Sequence, residues 1–468
     1  MKKNVPLLGL CPIGKFVFSH EDACRQKRII QSKLKEWRVR YVDLDRALPD
    51  GMVRDQAHVG PAVDFFRRRG IDAVFIPHCN FGTEGAVGKI GRRLGVPVLL
   101  WGPRDGAPLP DGTRLRDTLC GLFASSKVLR KLGVAFTYIE NCAPDDAAFR
   151  EGLERFLRAV NAARALREGI RIGHIGQRID FFWTTIVNES ELLERFRIQV
   201  QPIDMVLFIE RVKRRTKKDR SKYRRQAARL KREVTVEGFS DDTPLANILA
   251  ARDEMLECVE QHGLDALAVQ DFPSLVDSLG TYAFFANSLV GDVCPVALES
   301  DIHGAVSLVL LQRAMGTPEP VFLADVTVRH PEDDNGVLLW HAGAPASLRR
   351  QGERIRLGRH WILPSPLAGM PHFALKDGPL TVARFDGDSG DYRLAAGEGR
   401  SMPGPFTLNN YVWMKVDDWP AWERVLIEGP FIHHVAMGYA RCADALIEAC
   451  RYVPGLKPVP LGGGRARE

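Results

Sequence analysis

The sequence has no run approaching the roughly 18 consecutive apolar residues that a membrane span requires, so no transmembrane helix is expected. It has no CxxC pair. Its nine cysteines are an odd count scattered along the chain, which excludes a zinc knuckle and predicts reduced thiols in a cytoplasmic protein. No G-x-G-x-x-G occurs and Lys89 lies outside any Walker pattern, so no nucleotide cofactor is expected. The opening MKKNVPLLGLCPIGK imitates a secretory leader, but its apolar run is short, Pro6 interrupts it, and Leu10 before Cys11 is the wrong residue for cleavage. Val5–Leu10 reads instead as a first strand.

The excess of basic residues is local. Arg211–Arg232 holds thirteen Lys/Arg against the single acid Asp219, so that of a net charge of +7 the rest of the chain carries about −5. Such a run can grip phosphates. Yet Tyr223 is its one aromatic, no nucleic-acid-binding signature accompanies it, and Ala227, Ala228 and Leu230 follow a helical pattern. A solvated helix or loop, including one that meets an acidic patch on a sister subunit, is the expectation, with no nucleic-acid partner.

What remains is ordinary globular material: 45% hydrophobic and 26% charged residues over 468 positions, enough for about three domains. Residues 1–168 alternate short apolar runs with amphipathic stretches. Strands are expected at Val5–Leu10, Arg38–Val42, Ala73–Ile76, Val96–Trp101 and Ala135–Tyr138, and helices at His20–Glu36, Gly60–Arg68 and Thr83–Leu94, a doubly wound α/β pattern. Within it the strand-end residues His78, Asn80 and Glu84 can line a polar pocket or merely shape a turn. Residues 169–328 repeat the α/β pattern, with strands at Arg171–Ile175, Ile198–Pro202 and Ala266–Val269. Residues 329–455 change to Gly, Pro, Trp and short alternating runs, with turn signals at Asp386-Gly387 and Ser389-Gly390, which is antiparallel β. A last helix is expected over Gly438–Arg451, and residues 456–468, ending GGGRARE, read as a disordered tail.

Residues 293–326 carry the clearest chemistry. Val293–Leu298 reads as a buried strand, Asp301 as the N-cap of a helix Ile302–Met315, Gly316 as its C-cap, and Pro320–Ala324 as a second strand. A crossover of that length predicts two parallel strands of one sheet. Glu299 and Asp325 would then each end a strand and face one pocket at the carboxyl edge. The plain alternative makes Glu299 part of the helix cap and Asp325 the start of a turn. Farther on stand His341, in LLWHAGAP, and the pair His433-His434, in GPFIHHVAMGYA. Two acids with one or two imidazoles form a mixed O/N donor set suited to Mn²⁺, Co²⁺ or Mg²⁺.

The succession ALESDIHGA, FLADV, WHAGAP and GPFIHHVAMGYA, together with HCNFGTEGA and RDTLCGLFASSKVL, resembles the L-fucose isomerase and L-arabinose isomerase superfamily over most of the chain. The resemblance implies two Rossmann-like domains followed by a C-terminal β-barrel, and a homo-oligomer, trimer or hexamer, with shared active sites. It also implies a divalent metal, usually Mn²⁺, on Glu299, Asp325 and His434. His434 is preferred to His433 because an aromatic, Tyr439, stands five positions later. His341, His433, Gln270, His78, Asn80 and Glu84 are the further candidates for binding a sugar. Leu298, the Asp271-Phe272 pair after Gln270, and HAG in place of HCG depart from the family's pattern.

The activity implied is aldose–ketose isomerisation of a pentose, hexose or deoxy-sugar through a cis-enediol, with Glu299 and Asp325 relaying the proton between C1 and C2. The alternatives are a metal-dependent hydrolase or aldolase on the same scaffold, or a sugar-binding regulatory protein.

Overall fold

A computed structural model describes residues 5–362 and 367–462. The chain divides into two compact units, Met1–Arg164 and Ala165–Glu468. The first unit is built on five parallel strands: β1 (Leu8–Leu10), β2 (Tyr41–Val42), β3 (Ala73–Pro77), β4 (Val98–Trp101) and β5 (Phe136–Tyr138), in the order β2-β1-β3-β4-β5. The connecting helices His20–Glu36, Val59–Arg69 and Glu84–Leu94 fall where the apolar periodicity put them.

The second unit holds two sheets. Strands β6 (Arg171–Ile175), β7 (Gln199–Ile203), β9 (Ala266–Val269) and β10 (Val296–Ala297) form a parallel sheet ordered β10-β9-β6-β7, while the short β8 (Thr235–Val236) pairs elsewhere. The remaining strands are β11 (Phe322–Arg329), β12 (Gly336–His341), β13 (Arg356–Arg359), β14 (Ala368–Ala374), β15 (Pro379–Asp388), β16 (Asp391–Met402), β17 (Asn410–Lys415), β18 (His434–Gly438) and β19 (Leu456–Pro460). Six of them close a ring, β16-β15-β18-β11-β12-β17, through the pairing of β17 with β16, and every neighbouring pair in that ring is antiparallel. The result is α/β with parallel Rossmann-like sheets and a C-terminal antiparallel barrel. The hairpin β15–β16 turns at Ser389-Gly390, both in the left-handed region that the turn requires.

The helix Ile302–Met315 starts and stops on the residues expected: Asp301 caps it by accepting from Gly304 N–H, and Gly316 ends it at φ +66°. The strands beside it do not share a sheet, contrary to the expectation of a parallel crossover. β10 is at the edge of the parallel sheet, whereas β11 runs antiparallel between β18 and β12 in the barrel. The cause lies in the helix itself. All of its fourteen residues but Gln312 and Arg313 are buried, one side against β9 and β10 and another against β15 and β18. A helix apolar all round belongs between two layers rather than on the face of one.

Three smaller expectations change as well. The basic stretch is two helices, Met205–Lys218 and Arg220–Glu233, whose Val212, Tyr223 and Ala227 are buried. The last helix is shorter than Gly438–Arg451, covering Ala443–Ala449, because Gly438 still belongs to β18. Leu456–Pro460, assigned to a disordered tail, is strand β19, parallel to β16 and anchored by the buried Leu456. Residues 463–468, expected to be disordered, lie outside the described residues.

Candidate active site

Beyond β10 the chain makes a turn in which Glu299 (φ 59°) and Ser300 (φ 57°) both occupy the left-handed region. That conformation is uncommon away from glycine and costs of order 1–3 kcal/mol per residue, so the surroundings must impose it. They do so with hydrogen bonds. Glu299 N–H donates to Asp271 Oδ2 (3.1 Å), Ser300 N–H to the Val269 carbonyl (2.9 Å), and Ser300 Oγ–H to the Gln177 carbonyl (3.0 Å). Asp271 is itself buried and accepts from Asn287 Nδ2 at 2.6 Å. Burial pushes its carboxyl up to about 7, against the lowering effect of those two donors.

The other half of the site comes from the barrel. Cross-strand register sets Asp325 on β11 opposite Trp340 on one side and His434 on the other, with His341 following Trp340. Asp325 is in the middle of its strand, not at the end the sequence assigned, because β11 runs on past it as a barrel stave. His434 Nε2 is 3.3 Å from Glu299 Oε2 and 3.4 Å from Asp325 Oδ1; His341 Nε2 is 3.7 Å and the half-exposed His433 Nε2 3.9 Å from the same Asp325 oxygen. Donor atoms of Glu299, His341 and His434 lie within 4.8 Å of one another, as do those of Asp325, His433 and His434.

Three of these buried atoms, Asp325 Oδ1, His341 Nε2 and His434 Nε2, have no hydrogen-bond partner among the described residues. Buried polar atoms are rarely left so. Asp325 Oδ1 and His434 Nε2, set beside the Glu299 carboxylate, make a mixed O/N donor set that fits a divalent first-row cation. Burial works against a charged His434, yet Asp301, Glu299 and Asp325 outweigh it and raise the imidazole to about 10. Burial likewise opposes the Glu299 carboxylate, and the imidazoles beside it nevertheless hold it below the usual range.

Residues 9–167 match the family described as Fucose/sulfoquinovose isomerase, N-terminal domain. The sulfoquinovose isomerases of Priestia megaterium and Priestia aryabhattai are each 26% identical to this chain over 446 residues, 94% of this chain and 96% of the relative. That of Alkalicoccus urumqiensis is 28% identical over 346 residues, 72% and 74% of the two chains. These matches support the chain as a member of the fucose isomerase-like superfamily. It is a sugar isomerase.

Not every residue singled out in the sequence of this isomerase joins the cluster. His78, Asn80 and Glu84 belong to the first unit and have partners there: His78 Nε2 is 2.8 Å from Ser125 Oγ, Asn80 Oδ1 accepts from the N–H groups of Lys15 and Gly82, and Glu84 pairs with Lys15 at 3.5 Å. Gln270 is buried at the end of β9, where its neighbour Asp271 is the residue that reaches the Glu299 backbone. Asp271 stands at a departure from the family's pattern, the one signal that could have drawn attention to it. Sequence reasoning also missed Arg384, Asp386 and His303, a wholly buried polar group beneath the cluster, and saw in Asp301 only a helix cap. Arg384 is flanked by alternating strand residues, and nothing local marks it as facing inward.

Proposed function

We propose that this isomerase exchanges an aldose with its ketose through a cis-enediol, using a divalent cation, Mn²⁺ foremost and Co²⁺ or Mg²⁺ otherwise, held by Glu299, Asp325 and His434. The observation that carries the reading is the approach of both carboxylates, Glu299 Oε2 from the parallel sheet and the partnerless Asp325 Oδ1 from the barrel, to the partnerless His434 Nε2. When bound, such an ion supplies Lewis acidity at two adjacent sugar oxygens and stabilises negative charge that develops there.

The chain's own groups do the rest. Glu299 arrives from the parallel sheet and Asp325 from the barrel, so the two carboxylates flank the C1–C2 bond of a sugar seated between them. One accepts the proton from C2 and the pair returns it at C1. His341 Nδ1 accepts from the Ala342 N–H (2.8 Å), which leaves the ring proton on Nε2, ready to donate to a sugar hydroxyl. Sulfoquinovose, the substrate named for the relatives, is the first aldose to offer. A cytoplasmic homo-oligomer is the setting we infer.

The test is turnover in D₂O with Mn²⁺, offering sulfoquinovose and then a panel of pentoses, hexoses and deoxy-sugars. NMR should find deuterium at C1 of the ketose or C2 of the aldose. Full retention of the original hydrogen, at both low and high conversion, would replace the enediol with a direct hydride shift and leave the carboxylates as ligands only. Failure to interconvert any of these sugars would sink the reading.

A further inference from the structure

Under the candidate site lies a buried ionic group that the proposed reaction does not use directly. Asp301 is fully buried and makes four contacts. Its Oδ1 accepts from Gly304 N–H (2.8 Å) and Arg384 Nη2 (3.3 Å), and its Oδ2 accepts from Arg384 Nη1 and lies 2.9 Å from His434 Nδ1. Arg384, also buried, is held in turn by Asp386 through Nε at 2.8 Å, and Asp386 lies 3.1 Å from His303 Nδ1. Both oxygens of Asp301 face the guanidinium of Arg384, a group with donors only, so the carboxylate meets it as an anion.

An ionised carboxylate only accepts, so the hydrogen bond to His434 has one possible polarity, Nδ1–H to Oδ2. We propose that Asp301, clamped by Arg384, is the positioning residue that fixes the proton of His434 on Nδ1 and so keeps the Nε2 lone pair turned toward Glu299 and Asp325. The inference rests on the reading that these residues hold a divalent cation.

Two features separate this role from simple stabilisation. A buried ion pair gains little over an apolar pair of the same size, since the desolvation of both charges offsets their attraction. Fixing a tautomer, by contrast, is something only an acceptor at this spot can do. The second feature is His341, whose Nδ1 accepts a backbone N–H and whose Nε2 therefore carries the proton. Two imidazoles facing one aspartate thus have opposite polarity, each set by its own Nδ1 partner: His434 as electron-pair donor, His341 as proton donor. Space is also reserved for the carboxylate. A Cβ on Gly304 would come within 2.5 Å of Asp301 Oδ2.

The experiment measures binding of Mn²⁺ by calorimetry to the full-length wild type, Asp301→Asn and Arg384→Lys. With it goes the ¹⁵N spectrum of histidine-labelled wild type loaded with diamagnetic Zn²⁺ or Mg²⁺, the His434 signals being assigned by their loss in His434→Gln. Asp301→Asn should weaken Mn²⁺ binding by about tenfold to a hundredfold, the usual range for a residue that orients a ligand, and Arg384→Lys by less. The His434 signals should show a protonated Nδ1 and an unprotonated, metal-shifted Nε2. A purely structural role would lower the melting temperature of Asp301→Asn and leave its Mn²⁺ affinity unchanged, which would overturn the inference. So would a His434 bound through Nδ1 or protonated on Nε2 in the loaded wild type, a result that stands even if Asp301→Asn does not fold. No divalent binding by the wild type would instead remove the metal reading from which the inference starts.

Discussion

Glu299 is held in a backbone conformation that its neighbours impose, which separates its chemistry from its contribution to stability. Glu299→Gln and Asp325→Asn are nearly isosteric, so each should abolish turnover, by about a thousandfold or more as for other acid–base groups, while circular dichroism and the melting temperature stay close to wild type. His434→Ala should weaken Mn²⁺ binding more than His433→Ala, because His434 lies between both carboxylates whereas His433 is half exposed and farther from Asp325. The reverse order, read by calorimetry, would transfer the proposed ligand role to His433. A third residue, His78, predicts a pH effect. Burial lowers its pKa to about 4 from 6.5, so it folds neutral while the unfolded chain takes up a proton below pH 6.5. Its contribution is present above that value and is lost as pH falls toward 4, about 3 kcal/mol across the window. The amide protection factors of residues 73–76 should therefore fall more in wild type than in His78→Gln as pH drops from 7 to 4.5. At this scale the sequence showed the acids and histidines of the cluster, since their residue types carry the chemistry. It did not show Asp301's second role or Arg384, whose meaning depends on partners 83 positions apart.

Among elements, the two basic helices are legible in hindsight from their buried stripe. Lys213, Arg214, Lys217, Lys218, Arg224 and Arg225 are exposed, while Arg215 reaches back to Glu254 (2.7 Å) and Glu257, and Lys222 and Tyr223 to Asp253 (2.7 and 3.0 Å), all on the helix Thr243–His262. Replacing these six, of the ten exposed cations on the two helices, by Gln should leave kcat/KM within about twofold, as surface changes usually do, and alter only solubility or assembly. Arg215→Gln should cost about 1–3 kcal/mol in a denaturant melt, since Glu254 is almost fully buried and would keep only the longer contact to Arg211 (3.4 Å). Salt-sensitive, tight binding of the wild type to DNA or RNA would overturn the assignment of these helices as a scaffold. The crossover after β10 was misread for a different reason. Local pattern gives strand, helix and strand correctly, but the choice between one sheet and two depends on what the far side of the helix meets, and only its all-round apolar character hinted at that.

Across the whole molecule, the α/β, α/β and antiparallel succession was visible in the spacing of apolar runs. The closure of the barrel was not, because the β16–β17 pairing depends on three-dimensional register. No helix among the described residues is long and apolar enough to cross a membrane. If the cluster holds a cation, metal removal has a global signature: at a hundredfold excess over Kd the ion adds about 2.7 kcal/mol to the stability of the folded state. Chelation should therefore lower the melting temperature of the wild type, and re-addition of Mn²⁺ should restore it. Glu299→Gln/Asp325→Asn should melt at one temperature with or without chelator; a chelator effect that survives in this double variant would place the ion elsewhere.

The helix Ile302–Met315, wrapped by strands of both sheets, also governs how segments can be exchanged between relatives. Glu299 precedes it and Asp325 follows it in the chain, and each of its faces was shaped by a different layer. A chimaera joined within this helix would set half of one protein's packing against half of another's, and both carboxylates would inherit the misfit. A junction just after the helix Ala147–Glu168, close to the division between the two units, leaves the helix Ile302–Met315, both sheets around it and the whole carboxylate–imidazole cluster from a single parent. Recombinants of this superfamily should therefore tolerate exchange of the first unit far better than exchange of the barrel alone.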